Sequence, residues 1–284
     1  MNVASVMTPR SDVVAVELPG TRDDALEYLQ DRQFSSVPVV KQVDGTEAYR
    51  GLLSRNALIE NPEEDQLALL MGEVPTTTGD VSLSAVAAMM VEEGARRVPV
   101  VDGDSLEGIV TVTDVVEAIA GGDLPTEGTV GAVATERVTT TYSDTPLTVA
   151  ERELAHADVP YAVVLDDEGE MTGIVTEVDI IDVAQVVEGE DETGDSIADD
   201  DDDWKWESIK AVGSRYLPTR DVQLPAGPVA EFMSEDVVTA TRSLSVREAA
   251  QLFVRHDVEQ LPLVVGDELD GVVIDTDLLE AVDA

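Results

Sequence analysis

The sequence predicts an α+β (α/β) fold in which one small β-α-β-β-α unit is used four times, arranged as two pseudo-symmetric pairs. Three observations carry this. Four apolar runs pass through a glycine in the same way: Gly51-Leu52-Leu53-Ser54, Gly108-Ile109-Val110-Thr111, Gly173-Ile174-Val175-Thr176 and Gly271-Val272-Val273-Ile274. A period of this length marks a repeated supersecondary unit. Around each glycine the hydrophobic pattern changes in one order, from helical spacing to short apolar strands and back to a helix. A unit of two or three strands and two helices is also too small to close a core alone. The units must pair, sheet against sheet or helix face against helix face.

Each element follows from local signals. Unit one, residues 1–62, has a helix around 24–32, then Val37-Pro38-Val39-Val40, a longer loop, and a strand at Leu52-Leu53. Unit two, residues 66–122, is the clearest. Ser82 is a good N-cap for a helix whose apolar positions begin at Leu83. Arg97-Val98-Pro99-Val100-Val101 reads as a buried strand, Asp102-Gly103-Asp104 as a hairpin turn, Gly108 opens the second strand, and 115–120 form a closing helix. Unit three, residues 126–187, has a helix over 149–156, a strand at Ala162-Val163-Val164, a turn at Asp167-Glu168-Gly169 and a strand at Ile174-Val175. Unit four, residues 228–284, has a helix over 246–254, a strand from Leu261 to Val265, a turn at Gly266-Asp267 and a strand at Val272-Val273-Ile274.

An insert, residues 188–227, separates units three and four. Its first part, 188–203, is too acidic and too poor in apolar residues to pack, and reads as a solvated or disordered loop. The aspartates at 199–203 offer no fixed geometry for a metal ion. Its second part holds both tryptophans, Trp204 and Trp206, and four cations at intervals of five: Lys205, Lys210, Arg215 and Arg220. It is either an arm whose tryptophans plug a groove or a lid whose arginines, Arg215 and Arg220, reach the phosphates of an anionic ligand.

The 60 acidic residues outnumber 17 basic ones, for a net charge of −43. That argues against nucleic acid or an anionic membrane as a partner, since both need a basic face. The acid is dispersed through every repeat rather than gathered in a tail, which points to a salt-rich cytoplasm that screens self-repulsion. The absence of cysteine excludes disulfides and thiolate metal sites. No apolar stretch approaches the ~20 residues of a membrane helix, and the first residues lack a basic and then apolar leader pattern. The expectation is a cytoplasmic protein.

The chemistry concentrates at the Thr-x-x-Asp steps, Thr111 to Asp114 and Thr176 to Asp179. Each straddles a helix start, where unpaired N–H groups and the helix dipole favour phosphate. A carboxylate in the same turn suits the vicinal hydroxyls of ribose. The same pattern is also a capping box, which needs no ligand.

With Met7-Thr8 and Met233-Ser234 near the starts of units, the apolar-Pro-Val strand and the Gly-apolar-Val-Thr-x-x-Asp ending, the chain resembles the cystathionine-β-synthase (CBS) domain family over nearly its whole length apart from the insert. The resemblance implies two CBS-pair modules, a flat disk of four units, and adenosine-containing ligands (AMP, ADP, ATP or S-adenosylmethionine) in clefts between paired units. Carried over by position, the site in unit two is Thr76, Thr77, Thr78, Arg97, Val98, Pro99, Thr111 and Asp114. Unit three keeps Thr139, Thr140, Thr141, Thr176 and Asp179, with Tyr161 where unit two has Arg97 and Val163 where the strand proline belongs. Unit four keeps Gln260, Pro262 and Asp277 but has Ile274 in the threonine position. Unit one has Ser54, yet Ala57 replaces the aspartate, leaving Ser35 and Ser36.

Catalysis finds little foothold, because the two histidines, His156 and His256, sit late in first helices beside no cysteine or nucleophile elbow. The expectation is a non-enzymatic sensor that needs no cofactor or metal, takes a small adenosine ligand and reports it to a regulated protein. A ligand-free oligomerisation scaffold is the alternative, and a homodimer stays open.

Overall fold

The computed structural model describes residues 1–22, 24–25, 36–54, 57–58, 64–157, 159–183, 185–188, 220–266 and 268–282. Most of the helix expected over 24–32, Ser35, and the arm with Trp204, Trp206 and Arg215 lie outside the described residues.

The fold is mixed α+β. In chain order its strands and α-helices are β1 (Thr8–Pro9), β2 (Val16–Leu18), β3 (Ser36–Val43), β4 (Thr46–Ser54), α1 (Leu67–Leu70), α2 (Leu83–Glu93), β5 (Arg97–Asp102), β6 (Ser105–Thr111), α3 (Val112–Gly121), β7 (Thr140–Tyr142), α4 (Leu147–Ala157), β8 (Tyr161–Leu165), β9 (Met171–Thr176), α5 (Glu177–Val183), β10 (Gln185–Glu188), β11 (Arg220–Gln223), α6 (Val246–His256), β12 (Gln260–Val265) and β13 (Glu268–Ile274), followed by a 3₁₀ turn over Asp275–Ala281. Helix ends follow local chemistry. The Ser82 hydroxyl accepts the Ala85 N–H at the start of α2, and Gly94 ends that helix in the left-handed region. Ser245 and Glu248 form a capping box on α6.

Each unit is built on an antiparallel hairpin, β3–β4, β5–β6, β8–β9 or β12–β13. All four carry a bulge at the residue before the repeated glycine, where Val39/Val40, Val100/Val101, Val164/Leu165 and Leu263/Val264 step out of register. In unit one the longer loop expected between the strands is absent. β3 and β4 are long and turn tightly at Asp44 and Gly45, both at positive φ. Asp-Gly is the preferred pair for such a turn, and its signal lay inside a polar stretch lacking apolar alternation.

The repeated glycines are required by contacts between units. The segment leading into each unit crosses to its neighbour and lies against that neighbour's second strand. β1 pairs with β6, and bridges join Gly72 to Leu52, Thr135 to Val272 and Ser234 to Ile174. A Cβ added at Gly51 or Gly271 would stand 2.8 Å from the carbonyl oxygen of Gly72 or Thr135, and one at Gly173 would stand 2.9 Å from that of Ser234. At Gly108 it would run into the Thr8 carbonyl. Units one and two therefore exchange leading segments, as do three and four.

Within each pair the sheets meet. Val13, Val40, Leu106 and Ile109 form the cluster between units one and two, and Tyr161, Val163, Ile174 and Val272 form its counterpart between three and four. Between pairs the helices meet, because one core joins Val86, Val115 and Ile119 of unit two to Val246, Phe253 and Leu278 of unit four. Arg247 of α6 caps the end of α3, donating to the Ala120 and Gly121 carbonyls at 3.4 and 3.1 Å. Strands flank the insert, and Glu188, the first residue of the expected loop, is in one of them. Gln185–Glu188 and Arg220–Gln223 form an antiparallel ribbon, bringing Arg220 opposite Glu188 in register.

Candidate functional site

The Thr-x-x-Asp steps are capping boxes that leave acceptor capacity unused. At the start of α3 the Thr111 N–H and hydroxyl both donate to Asp114 Oδ2, at 2.7 and 2.8 Å. At the start of α5 the Thr176 N–H and hydroxyl donate to Asp179 Oδ2, at 2.8 and 2.7 Å. In both cases the other carboxylate oxygen has no hydrogen bond among the described residues. Burial raises the Asp114 carboxyl above its usual range, against the opposing Thr111 bonds. A half-buried carboxylate with one open oxygen beside a helix start can accept from ribose hydroxyls while it still caps its helix.

The other two copies differ. Asp277 Oδ2 accepts the Ile274 N–H at 2.9 Å, but Ile274 supplies no hydroxyl. Burial pushes the Asp277 carboxyl up to about 6, with the charges of Glu280 and Asp275 adding to it. In unit one the Ser54 hydroxyl accepts the Ala57 N–H at 3.1 Å, and no carboxylate occupies the turn.

The strand-opening residues face these turns across each hairpin. Ser36 is opposite Ser54, Arg97 opposite Thr111, Tyr161 opposite Thr176 and Gln260 opposite Ile274. Arg97 and Gln260 are half-buried, while Pro99 and Pro262 are buried one strand step apart from Val98 and Leu261. Tyr161 is buried in the cluster shared with Val272 and Ile274 of unit four. Burial and the Asp277 charge push its hydroxyl up to about 12. Sequence reasoning grouped Tyr161 with Asp179, but the structure also brings it to the Asp277 side of the cleft.

The threonine runs are split by strand alternation. Thr76, Thr78 and Thr140 are exposed and Thr139 is half-buried, whereas Thr77 and Thr141 are buried. Thr77 pairs in parallel with Val100, and Thr141 with Val164. Paired residues share a sheet face, and Val100 and Val164 lie in the helix-side cores. Thr77 and Thr141 therefore point away from the cleft, and their hydroxyls have no hydrogen-bond partner. Val98 lies in the same helix-side core. These three positions support the site from behind and do not line it.

Sequence reasoning missed Arg96, which donates to both oxygens of Asp275 across the interface between units two and four, at 3.0 and 2.7 Å. Its only signal was the scarcity of cations. Among the described residues no group of three acidic or histidine side chains is placed to hold a metal ion, and no helix is long and apolar enough to cross a membrane.

Comparison with known proteins agrees with this architecture. A crystal structure of an uncharacterized conserved protein from Pyrococcus horikoshii matches at 27% identity and TM-score 0.66, covering 99% of each chain. Protein MJ1225 from Methanocaldococcus jannaschii shares the fold at 19% identity and TM-score 0.70, again over 99% of each chain. The uncharacterized protein MJ1404 of the same organism is 24% identical over 279 residues, 98% of this chain, and the match spans 61% of that relative's length. The CBS-domain family pattern matches residues 3–64, 69–121, 130–185 and 229–284, one match for each hairpin and its closing turn. The chain belongs to the CBS-domain family.

Proposed function

We propose that this protein is a ligand-sensing regulator that binds an adenosine-containing molecule, AMP, ADP, ATP or S-adenosylmethionine, in the clefts between paired units. The observation that carries this is the open oxygen of Asp114 at a capped helix start, directly across the hairpin from Arg97. Ribose hydroxyls would donate to that oxygen, and Arg97 with the first N–H groups of α3 would face phosphate. The Thr176–Asp179 turn offers a second such site, with Tyr161 in place of the arginine. Asp277 would provide a weaker third, and unit one has lost its carboxylate. Binding would change the angle between paired sheets and so report to a partner protein, provided the ligand favours one arrangement over the other. No step in this reading makes or breaks a covalent bond.

Calorimetry with AMP, ATP and S-adenosylmethionine in molar KCl tests it. At least one should bind, and Asp114→Ala should weaken that binding at least tenfold, about 1.4 kcal/mol. A ligand-free scaffold is the second reading, favoured by the completeness of the capping boxes without any ligand. It stands if none of the three binds or raises the melting temperature.

A further inference from the structure

The helix starts of units two and four are joined by a continuous run of hydrogen bonds through one side chain. Arg96 immediately precedes β5, and its carbonyl accepts the N–H of Val112, the first helical residue after Thr111, at 3.0 Å. Its guanidinium crosses to unit four, where it meets both oxygens of Asp275, at 3.0 and 2.7 Å, and lies 3.2 Å from Glu259. Asp275 is buried. It is the first residue after Ile274, and its N–H is held by the Glu259 carbonyl at 3.1 Å. Its Oδ1 also accepts the Thr276 N–H at 2.8 Å. Arg96 thus touches the turn that ends at Asp114 through its backbone and the turn that ends at Asp277 through its side chain.

Between units two and four the link is made in one direction only. The backbone bond from the residue before the strand to the first helical N–H recurs in units three and four, from Pro160 to Glu177 and from Glu259 to Asp275. The reciprocal bridge from unit four to unit two is not made, because the position equivalent to Asp275 in unit two is the apolar Val112, and Glu259 turns to Arg96 instead. Energy is a poor explanation for such a bridge. Buried ion pairs are often replaced by apolar residues without loss, and their best-attested role is to fix one arrangement. The arrangement fixed here is the relative placement of two candidate ligand turns.

We propose that Arg96 couples the cleft of units one and two to the cleft of units three and four, so that a nucleotide held at Asp114 raises affinity in the other cleft. This rests on reading the clefts as nucleotide sites. A ligand on the 111–114 turn orders the Arg96 carbonyl, and an ordered Arg96 holds the 274–277 turn in its binding geometry. The second ligand then meets a turn already fixed. Coupling in binding free energy is reciprocal, so occupation of the second cleft must favour the first by the same factor.

The experiment titrates the full chain with AMP in molar KCl by calorimetry. Asp114→Asn should lower the affinity of the remaining sites about fivefold or more. In the Arg96→Gln background the same Asp114→Asn change should leave the remaining affinity unaltered. Asp275→Asn, which breaks the bridge from its other end, should abolish the coupling in the same way. A purely structural bridge would lower the melting temperature of Arg96→Gln yet leave the effect of Asp114→Asn intact, and that result overturns the proposal. So does a wild type in which Asp114→Asn has no effect on the other sites. If the wild type binds no AMP, both the coupling and the AMP reading fall, whereas AMP binding without coupling overturns the coupling alone.

Discussion

Thr77 and Thr141 hold buried hydroxyls without partners on the helix side of their sheets, at a position occupied by Val16 in unit one and Ala240 in unit four. A buried hydroxyl that makes no hydrogen bond destabilises by about 1–3 kcal/mol relative to an apolar group of the same shape. Thr77→Val is therefore expected to raise stability by about 1 kcal/mol, read from denaturant unfolding in molar KCl, and to leave ligand affinity unchanged. A loss of stability would mean that the hydroxyl is satisfied by a bound water. The sequence marked 76–78 and 139–141 as first strands but not which threonine faces the cleft, because three identical residues in a row carry no alternation. The Thr111–Asp114 and Thr176–Asp179 turns were legible because helix capping is a local interaction. Arg96 was not legible, because its partner Asp275 is remote in sequence and meets it only once units two and four pack.

At the scale of elements, the bulged hairpin, its glycine and the crossing segment act as one joint, repeated four times. Gly108 has the Thr8 carbonyl and the Met7 side chain against it. Gly108→Ala would set a methyl group against backbone, which cannot rotate away, so β1 must detach or shift. The expected loss is about 2 kcal/mol or more, in the range of overpacked cores, with faster hydrogen exchange across residues 3–9. Gly72→Ala is the control, since a Cβ there meets nothing within 4 Å, and it should change stability far less. Equal effects of the two changes would refute the joint. The fourfold period was readable from the glycines, as was the pairing of units one with two and three with four. The exchange of leading segments was not. Met7 and Met233 announced two of them, while Met71-Gly72 and Ala134-Thr135 lack the Met-Thr or Met-Ser pattern.

The whole molecule sets 60 acidic side chains against a few arginines posted at junctions. Arg10 holds Glu47 beside the crossing β1 segment, Arg96 holds Asp275, Arg242 holds Asp270 and Glu136, and Arg247 holds carbonyls at the end of α3. Salt acts on these two populations in opposite ways. It screens repulsion among the exposed carboxylates and also weakens exposed ion pairs, each worth only about 0–1 kcal/mol. Among the described residues these bridges are partly sheltered, and sheltered pairs are screened less, whereas the net charge of −43 is spread through every unit. Repulsion should therefore dominate the salt response. The melting midpoint is expected to rise steeply as KCl goes from 0.1 to 1 M, where the Debye length shrinks from about 10 Å to about 3 Å, and then to rise slowly. Potassium glutamate at equal ionic strength should reproduce the steep phase, because screening depends on ionic strength rather than on the anion. A midpoint that is flat or falls below 1 M would show that the ion pairs, and not the surplus of carboxylates, govern how the four units hold together.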